Sequence, residues 1–358
     1  MALILGFDTS CDETSVALVE DGVAVRASVV RSQQGFHEAH GGIVPEAASR
    51  VHLGAIVPAV REAMAAGGAA PTDLTAIAVT YGPGLGGSLL VGLNAAKGLA
   101  YGWSRPLIPI NHLEGHIYSA WPAAHAEGRP LPALPCLILI VSGGHTELIL
   151  MRQHTVYQRL GGTRDDAAGE AFDKVGRLLG LPYPGGPAIE AAAHAHRAAG
   201  GSAYPLPQAW LRGTSDFSFS GVKTAVLHLL DPSTVGRRPQ ADAPDVPRAI
   251  PPVGAVAAGF QDSVVGVLVA KTVEAARQCG AASVVVAGGV ASNGALRQAM
   301  VTALAPLCTP LYVPPPALCT DNAVMIAAAG YFRGMAQALP HESTLVTDVV
   351  PGLALTGA

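Results

Sequence analysis

Short apolar runs, each closed by a cluster of Gly, Pro, Ser, Thr or Asp, punctuate the chain from its first residues. Such a pattern predicts strands separated by tight turns. Leu3–Asp8 reads as a buried strand, and Ser15–Glu20 and Val23–Val30 follow as two more, joined by the hairpin signal Asp21-Gly22. From Ala47 to about Ala66 the spacing turns helical. Ile77–Thr80 is a buried strand that enters the Gly-rich stretch Tyr81–Ser88, and a helix carrying Lys97 comes next. The opening layout returns at Cys136: apolar Leu137–Val141, the turn Ser142–Thr146, then strands Glu147–Met151 and Thr155–Leu160.

The second half continues with Thr163–Asp166 leading into a helix over Ala167–Leu179. Its Glu170, Asp173, Lys174 and Arg177 are spaced as a solvated face of ion pairs. Tyr183–Pro187 breaks the chain, Ala191–Leu211 reads as irregular, and Asp216–Thr224 is a Ser-rich turn entering a helix. Residues 231–252 are rich in Pro, Asp and Arg without apolar periodicity, which predicts a mobile surface loop. A long helix over Val256–Cys279, a buried strand Ser283–Ala287 ending in Gly288–Asn293, a strand Leu311–Val313 and a helix Ala323–Arg333 complete the chain. Asp321 stands where a helix N-cap usually falls.

Strand, small-residue turn, strand, strand therefore occurs twice, with little identity between the copies. Duplicated lobes with a Gly/Ser/Thr turn in each half are how actin-like ATPases and sugar kinases grip the phosphates of a nucleotide. The expected fold is α/β: a duplicated actin-like ATPase and sugar-kinase (ASKHA) fold, two lobes around a nucleotide cleft. Residues 1–130 would form the first lobe, 131–320 the second, and the helix at 321–335 would return to the first. Of the turns, Ser142–Thr146 is the better anion site, with two glycines for close approach and hydroxyls on Ser142 and Thr146. Asp8-Thr9-Ser10 reads equally as an anion or metal site or as a plain turn. The Gly82–Gly87 loop lacks the G-K-[ST] ending of a Walker A motif, so tight strand-to-helix packing is its expected role.

Composition narrows the class. The 358 residues are 50% hydrophobic and 13% charged, enough for two lobes with real cores. The 5 cysteines form no C-x-x-C pair and read as reduced thiols in a cytoplasmic protein. No basic segment precedes the first strand, and Lys97, Asp321 and scattered glycines interrupt the apolar runs, so neither a leader nor a membrane span is expected. A formal charge of −4 gives little attraction for a nucleic acid without a local basic patch or a partner.

The sharpest chemistry lies in Asn111-His112-Leu113-Glu114-Gly115-His116. On a helix, His112 and His116 share one face, near enough to hold one metal, although surface pairs at this spacing are common. A zinc protease fails on detail: its motif puts Glu directly after the first His, and here Glu114 is one residue further on and points elsewhere.

Taken together, these stretches resemble a known family, the universal tRNA N6-adenosine threonylcarbamoyltransferases in their bacterial form. Matching segments run in order from Leu5 to about Phe332. They include Asp8–Thr14, Gly41–Glu46, Gly82–Leu85, His112–His116, Ser142–Thr146, Asp165–Lys174, Pro184–Pro187, Phe217–Gly221, Gly288–Val290 and Thr320–Asn322. His40 stands where relatives tend to carry an aromatic residue, and the 231–252 loop is not a family feature. The resemblance implies one divalent metal, iron or zinc, held by His112, His116 and Asp321, against the N-cap reading of Asp321. It implies that threonylcarbamoyl-AMP sits in the cleft, with its phosphate end at Ile140, Val141, Ser142, Gly143 and Gly144. Asp173, Gly186 and Asn293 would be further nucleotide contacts, and Glu190 a ribose contact. The N6 amine of the adenosine 3′ to the anticodon, in tRNAs reading codons that begin with A, would attack the carbamoyl carbon and AMP would leave. Implied partners are tRNA, an inactive paralogous subunit and a P-loop ATPase. No side chain is singled out as a catalytic base, and direct transfer needs no covalent intermediate. An ATPase or sugar kinase, a peptidase and a non-catalytic scaffold are the competing readings.

Overall fold

The computed structural model describes residues 1–33, 35, 37, 43–208, 210–231, 250–336 and 345–355. His40 and nearly all of the 231–252 stretch lie outside the described residues. The first half builds β1 (Leu3–Asp8), β2 (Glu13–Glu20), β3 (Ala24–Ser32), α1 (Pro45–Ala66), β4 (Ala76–Gly82), α2 (Gly86–Gly102), β5 (Leu107–Asn111), α3 (His112–Tyr118) and α4 (Ala120–Ala126). The second builds β6 (Cys136–Val141), β7 (Thr146–Gln153), β8 (Val156–Gly162), α5 (Ala168–Leu178), α6 (Gly185–Ala198), α7 (Ser220–Leu230), α8 (Val253–Cys279), β9 (Ser283–Ala287), α9 (Gly294–Leu304), β10 (Leu311–Tyr312), α10 (Pro316–Cys319) and α11 (Ala323–Ala336).

The strands form two 5-stranded sheets, ordered β3-β2-β1-β4-β5 and β10-β9-β6-β7-β8. Read outward from β1 and from β6 they are the same sheet. In each, an antiparallel meander is followed by two parallel strands on the other side of its first strand. The duplication expected from three strands therefore extends to five. β5 was not expected, because Pro109 interrupts a short apolar run that must pair on one side only.

Central strands β1 and β6 are buried on both faces, since helices cover each side. Leu5 and Phe7 pack outward against α1 and α2, and Leu137 and Leu139 outward against α5 to α9. The alternate residues Ile4, Ile138 and Ile140 face a shared central layer made of α3, α4 and α11. The helices thus stack in three layers around two sheets.

Two expectations change. Residues 185–198 are helical, where a break at Tyr183–Pro187 and an irregular segment over Ala191–Leu211 were expected. Ile189 and Ala193, one turn apart, bury a narrow apolar stripe that the surrounding alanines hide from a periodicity search. Second, an apolar run of membrane-spanning length does exist. Val253–Cys279 is long and apolar enough, but 72% of its most apolar window is buried, and α6, α7, α9 and β6 pack around it as around a core helix.

α11 sits on β1, β2 and β4 at very close range. A Cβ at Gly6 would lie 2.5 Å from the Ala323 carbonyl oxygen and 2.8 Å from Ala327, and one at Gly330 would lie 2.5 Å from the Ala78 Cβ. Glycine against alanine at both ends lets the helix rest on the sheet. Gly6→Ala should lift α11, costing about 1–3 kcal/mol by overpacking, seen as a lower midpoint in chemical denaturation. Gly54→Ala, where a Cβ meets open space, is the control expected to be neutral or stabilising.

Candidate metal centre and adjoining cleft

β5 ends at Asn111, whose side chain accepts from the Leu113 N–H at 2.9 Å and starts α3 abruptly. His112 and His116 follow on one face, their ring centroids 4.7 Å apart and nearly perpendicular. Across from them, Asp321 ends the turn before α11. Its Oδ1 lies 3.4 Å from His112 Nε2 and 3.3 Å from His116 Nε2. The N-cap role expected of Asp321 falls to its neighbour: Asn322 Oδ1 accepts from Met325 N–H at 3.1 Å, and Ser15 Oγ accepts from Ala323 N–H at 2.8 Å. Asp321 is left free to face the histidines.

His112, His116 and Asp321 are the group of three metal-capable side chains found among the described residues, their donor atoms all within 4.8 Å of one another. The donor set fits a metal on two grounds. Tetrahedral bonds of about 2.0–2.1 Å set donor atoms about 3.3–3.4 Å apart, which is the Nε2-to-Oδ1 spacing here. Among the described residues, both ring nitrogens of His116 and Nδ1 of His112 are also buried without a hydrogen-bond partner, a state that proteins rarely leave uncompensated. Burial opposes charge on His112, but the carboxylates of Asp321 and Asp8 outweigh it and push the imidazole up to about 10. Burial likewise opposes the charge of Asp321, and His112 and His116 outweigh it, holding the carboxyl well below the usual range.

Glu114 points away from this cluster, as its spacing required. It is fully buried, its Oε2 accepting from Arg333 Nη2 at 2.6 Å and its Oε1 from the Tyr157 hydroxyl at 2.9 Å. Burial, then the charges of Asp321 and Asp12, raise the Cys11 thiol far above the ordinary range, which disfavours a thiolate there.

Beside the centre lies a cavity of about 240 Å³ lined by Gly143, Gly169, Phe172, Asp173, Pro184, Gly186, Pro187, Glu190, Gly289, Val290, Ser292 and Asn293. Among the residues implied for the nucleotide, Gly143, Asp173, Gly186, Glu190 and Asn293 line it. Ile140 and Val141 are fully buried strand residues, so only their backbone is on offer. Ser142 Oγ accepts from the His145 N–H at 3.2 Å, and its carbonyl accepts from Gly169 N–H at 3.1 Å. Gly144 is exposed at the tip of the turn.

The hydroxyls expected to serve an anion are used otherwise. Thr146 is fully buried, and its Oγ1 accepts the Ala168 N–H at 2.9 Å, capping α5. At the Asp8 turn, Thr9 Oγ1 donates to the Ser88 carbonyl at 2.8 Å, and a Cβ at Gly84 would meet the Ser10 oxygen at 2.5 Å. The Gly82–Gly87 loop is close packing. At Gly143, Gly144, Gly186 and Gly289, in contrast, a Cβ would meet nothing within 4 Å and φ is not positive. The fold does not require glycine at these positions, and Gly143, Gly186 and Gly289 present bare backbone to the cavity.

Asp173 leaves the ion-pair face expected of it. Glu170, Asp166 and Lys174 pair on the surface, while Asp173 Oδ1 accepts from Gly185 N–H at 2.8 Å across the cavity wall. Asn293 caps α9 through Leu296 N–H at 2.9 Å, and Glu190 Oε1 accepts from Gly294 N–H at 2.7 Å. His145 was passed over in the sequence, where only its place in the Gly-Gly turn marked it. Burial, then the His112 and His116 charges, push its imidazole down to about 4.

Comparison with known proteins agrees over nearly the whole chain. The family described as TsaD, tRNA N6-adenosine threonylcarbamoyltransferase, matches residues 24–328. A protein of that name from Thermomicrobium roseum is 52% identical over 92% of this chain and 91% of its own. One from Symbiobacterium thermophilum is 49% identical over 99% of this chain and 97% of its own. Among solved structures, T. kodakarensis HypF superposes with a TM-score of 0.60 at 13% identity, over 96% of this chain and 49% of that one. Component A of the Acidaminococcus fermentans (R)-2-hydroxyglutaryl-CoA dehydratase superposes with a TM-score of 0.50 at 16% identity, over 94% of this chain and 100% of that one. These likenesses show the duplicated two-lobe fold.

His145 carries a pH prediction. The unfolded chain takes up this proton near 6.5 and the folded chain only near 4, so His145 makes stability fall as pH drops between those values. Denaturation midpoints at pH 7 and pH 5 should therefore differ less in His145→Gln than in the parent.

Proposed function

The chain belongs to the tRNA N6-adenosine threonylcarbamoyltransferase family, and from that membership we propose the reaction it performs. It transfers threonylcarbamoyl from threonylcarbamoyl-AMP to N6 of the adenosine 3′ to the anticodon in tRNAs reading codons that begin with A, releasing AMP. The observation that carries this reading is the sharing of one turn by the cavity and the metal cluster. Gly143 lines the cavity, and His145, two residues on, lies close enough to feel the charges of His112 and His116. A substrate with a nucleotide at one end and an acyl group at the other would span the two.

In this reading the open backbone at Gly143, Gly186 and Gly289 admits the adenylate, with Asp173, Glu190 and Asn293 fixing the cavity walls. His112, His116 and Asp321 hold one divalent metal, iron by family and zinc equally suited to the donors. When bound, that metal supplies Lewis-acid polarisation of a substrate oxygen. The amine nitrogen attacks the carbamoyl carbon, the bond from that carbon to the phosphate oxygen breaks, the nitrogen gives up a proton to the departing phosphate or to solvent, and AMP leaves. Glu114, tied to Arg333 and Tyr157, has no free oxygen to activate water, which suits transfer over hydrolysis and opposes the peptidase reading.

From the family resemblance, an inactive paralogous subunit and a P-loop ATPase are proposed as partners in the cytoplasm; a net charge of −4, which draws tRNA weakly, fits a need for partners. α1 leaves Leu53 65% and Val57 53% exposed one turn apart, an apolar face such a subunit would cover.

Transfer of labelled threonylcarbamoyl to tRNA, with partners present, tests the reading. His112→Ala should abolish transfer and leave AMP affinity within about three-fold, a difference of about 0.7 kcal/mol. Glu114→Gln should lower the unfolding midpoint, because Arg333 loses its counter-charge, while the folded protein keeps most of its transfer rate. Glu114→Gln as inactive as His112→Ala, with the fold intact, would return a water-activating role to Glu114.

A further inference from the structure

Asp8 closes β1 and is 1% exposed. Its Oδ1 accepts from the Ser10 N–H at 3.1 Å, while its Oδ2 is buried with no hydrogen-bond partner. That second oxygen lies 3.4 Å from Nδ1 of His112, itself buried without a partner. On the other side of the same ring, Nε2 lies 3.4 Å from Asp321 Oδ1. The His112 imidazole is thus flanked by a carboxylate at each nitrogen, one from β1 and one from the turn before α11.

A ring nitrogen that ligates a metal must present its lone pair, so the proton of the neutral ring has to sit on the other nitrogen. Nε2 shares the donor cluster with His116 and Asp321, which leaves the proton to Nδ1, facing Asp8. A carboxylate there orients the ring, selects the tautomer and makes the ligating nitrogen more basic. His116 has no such brace: its Nδ1 is buried without a partner.

We propose that Asp8 is a positioning residue of the metal centre, holding His112 in the Nδ1–H tautomer so that Nε2 points to the metal. It rests on the reading of His112, His116 and Asp321 as metal ligands, and it explains why the first strand ends in an acid that no other group uses fully. The Asp8-Thr9-Ser10 turn then has two jobs. Thr9 packs it against α2, and Asp8 serves the centre.

Asp8→Asn separates positioning from shape. Asparagine is isosteric and its oxygen can keep the Ser10 contact, but its amide then turns a donor toward His112 Nδ1 and favours the wrong tautomer. The full-length chain would be stripped of metal and titrated with Zn²⁺ against a chelator of known affinity, with His116→Ala as the ligand-loss control. Asp8→Asn and Asp8→Ala are expected to bind Zn²⁺ 10- to 100-fold more weakly than the parent, with the Asp8→Asn metal-free protein melting within about 2 °C of it. Nitrogen NMR of the Zn²⁺-loaded parent should show the His112 proton on Nδ1, an observation that needs no variant to fold. Parental affinity in Asp8→Asn, or a proton absent from Nδ1 in the loaded parent, overturns the role of Asp8. A parent that binds Zn²⁺ no better than His116→Ala overturns the metal centre itself, and the assignment of Asp8 with it.

Discussion

The close seating of α11 on β1 is the constraint on which the rest depends. Gly6 admits the helix backbone to the strand, and Gly330 against Ala78 repeats the device further along. Every residue from Ala323 to Gly330 is buried, so the helix has no solvent face over that span through which to relax. Asp321 stands at one end and Arg333 near the other. The first reaches His112 and His116; the second reaches Glu114, on the opposite side of the same short helix. α3 is therefore held against α11 from two sides. Gly115 lies between those holds, where a Cβ would come 2.6 Å from Ile326.

Those two holds differ in kind. Glu114 and Arg333 satisfy each other: the carboxylate takes two guanidinium hydrogens and a tyrosine hydroxyl, so the buried charge is balanced within the chain. At the histidine end the accounts stay open: among the described residues both nitrogens of His116 are buried without a hydrogen bond, and Asp8 Oδ2 and His112 Nδ1 face each other at 3.4 Å. Burying a polar atom without a partner costs about 1–3 kcal/mol, and several together are tolerated where something else completes them. The contrast separates a structural ion pair from the cluster proposed to hold a metal, on opposite sides of one short helix.

Much of this was legible in the sequence, and the gaps have physical causes. The meanders β1–β3 and β6–β8 were readable because buried strands between Gly and Asp turns leave a short-range signature. His112 and His116 were readable because helical spacing is local. Asp321 was legible only through the family resemblance: by local rules an acid just before a helix is an N-cap, and tertiary placement hands the cap to Asn322 and Ser15. Thr146 erred the other way. A hydroxyl in a glycine turn suggests an anion, but α5, arriving from further along the chain, takes it. α6 stayed hidden because alanine on every side blurs the buried stripe of Ile189 and Ala193. Asp8 was visible as an acid suited to a metal, but which nitrogen it faces is information that only the fold contains.

The use of hydroxyls and glycines around the cleft follows one logic. Ser142, Thr146 and Thr9 spend their side chains on the backbone of the turns and helices around them, which fixes the walls. Gly143, Gly186 and Gly289 leave their backbone bare where the cavity opens. Under the proposed function, a rigid wall with exposed peptide groups would meet the ligand by shape and by its phosphate, with no cationic side chain among the described lining residues to hold a leaving anion too tightly. The charged donors are gathered instead on α3 and before α11, around the histidines. Under the proposed function, binding the nucleotide and acting on the acyl group would fall to different segments. The Ser142–Thr146 turn, with Gly143 on one side and His145 toward the other, keeps the two in register.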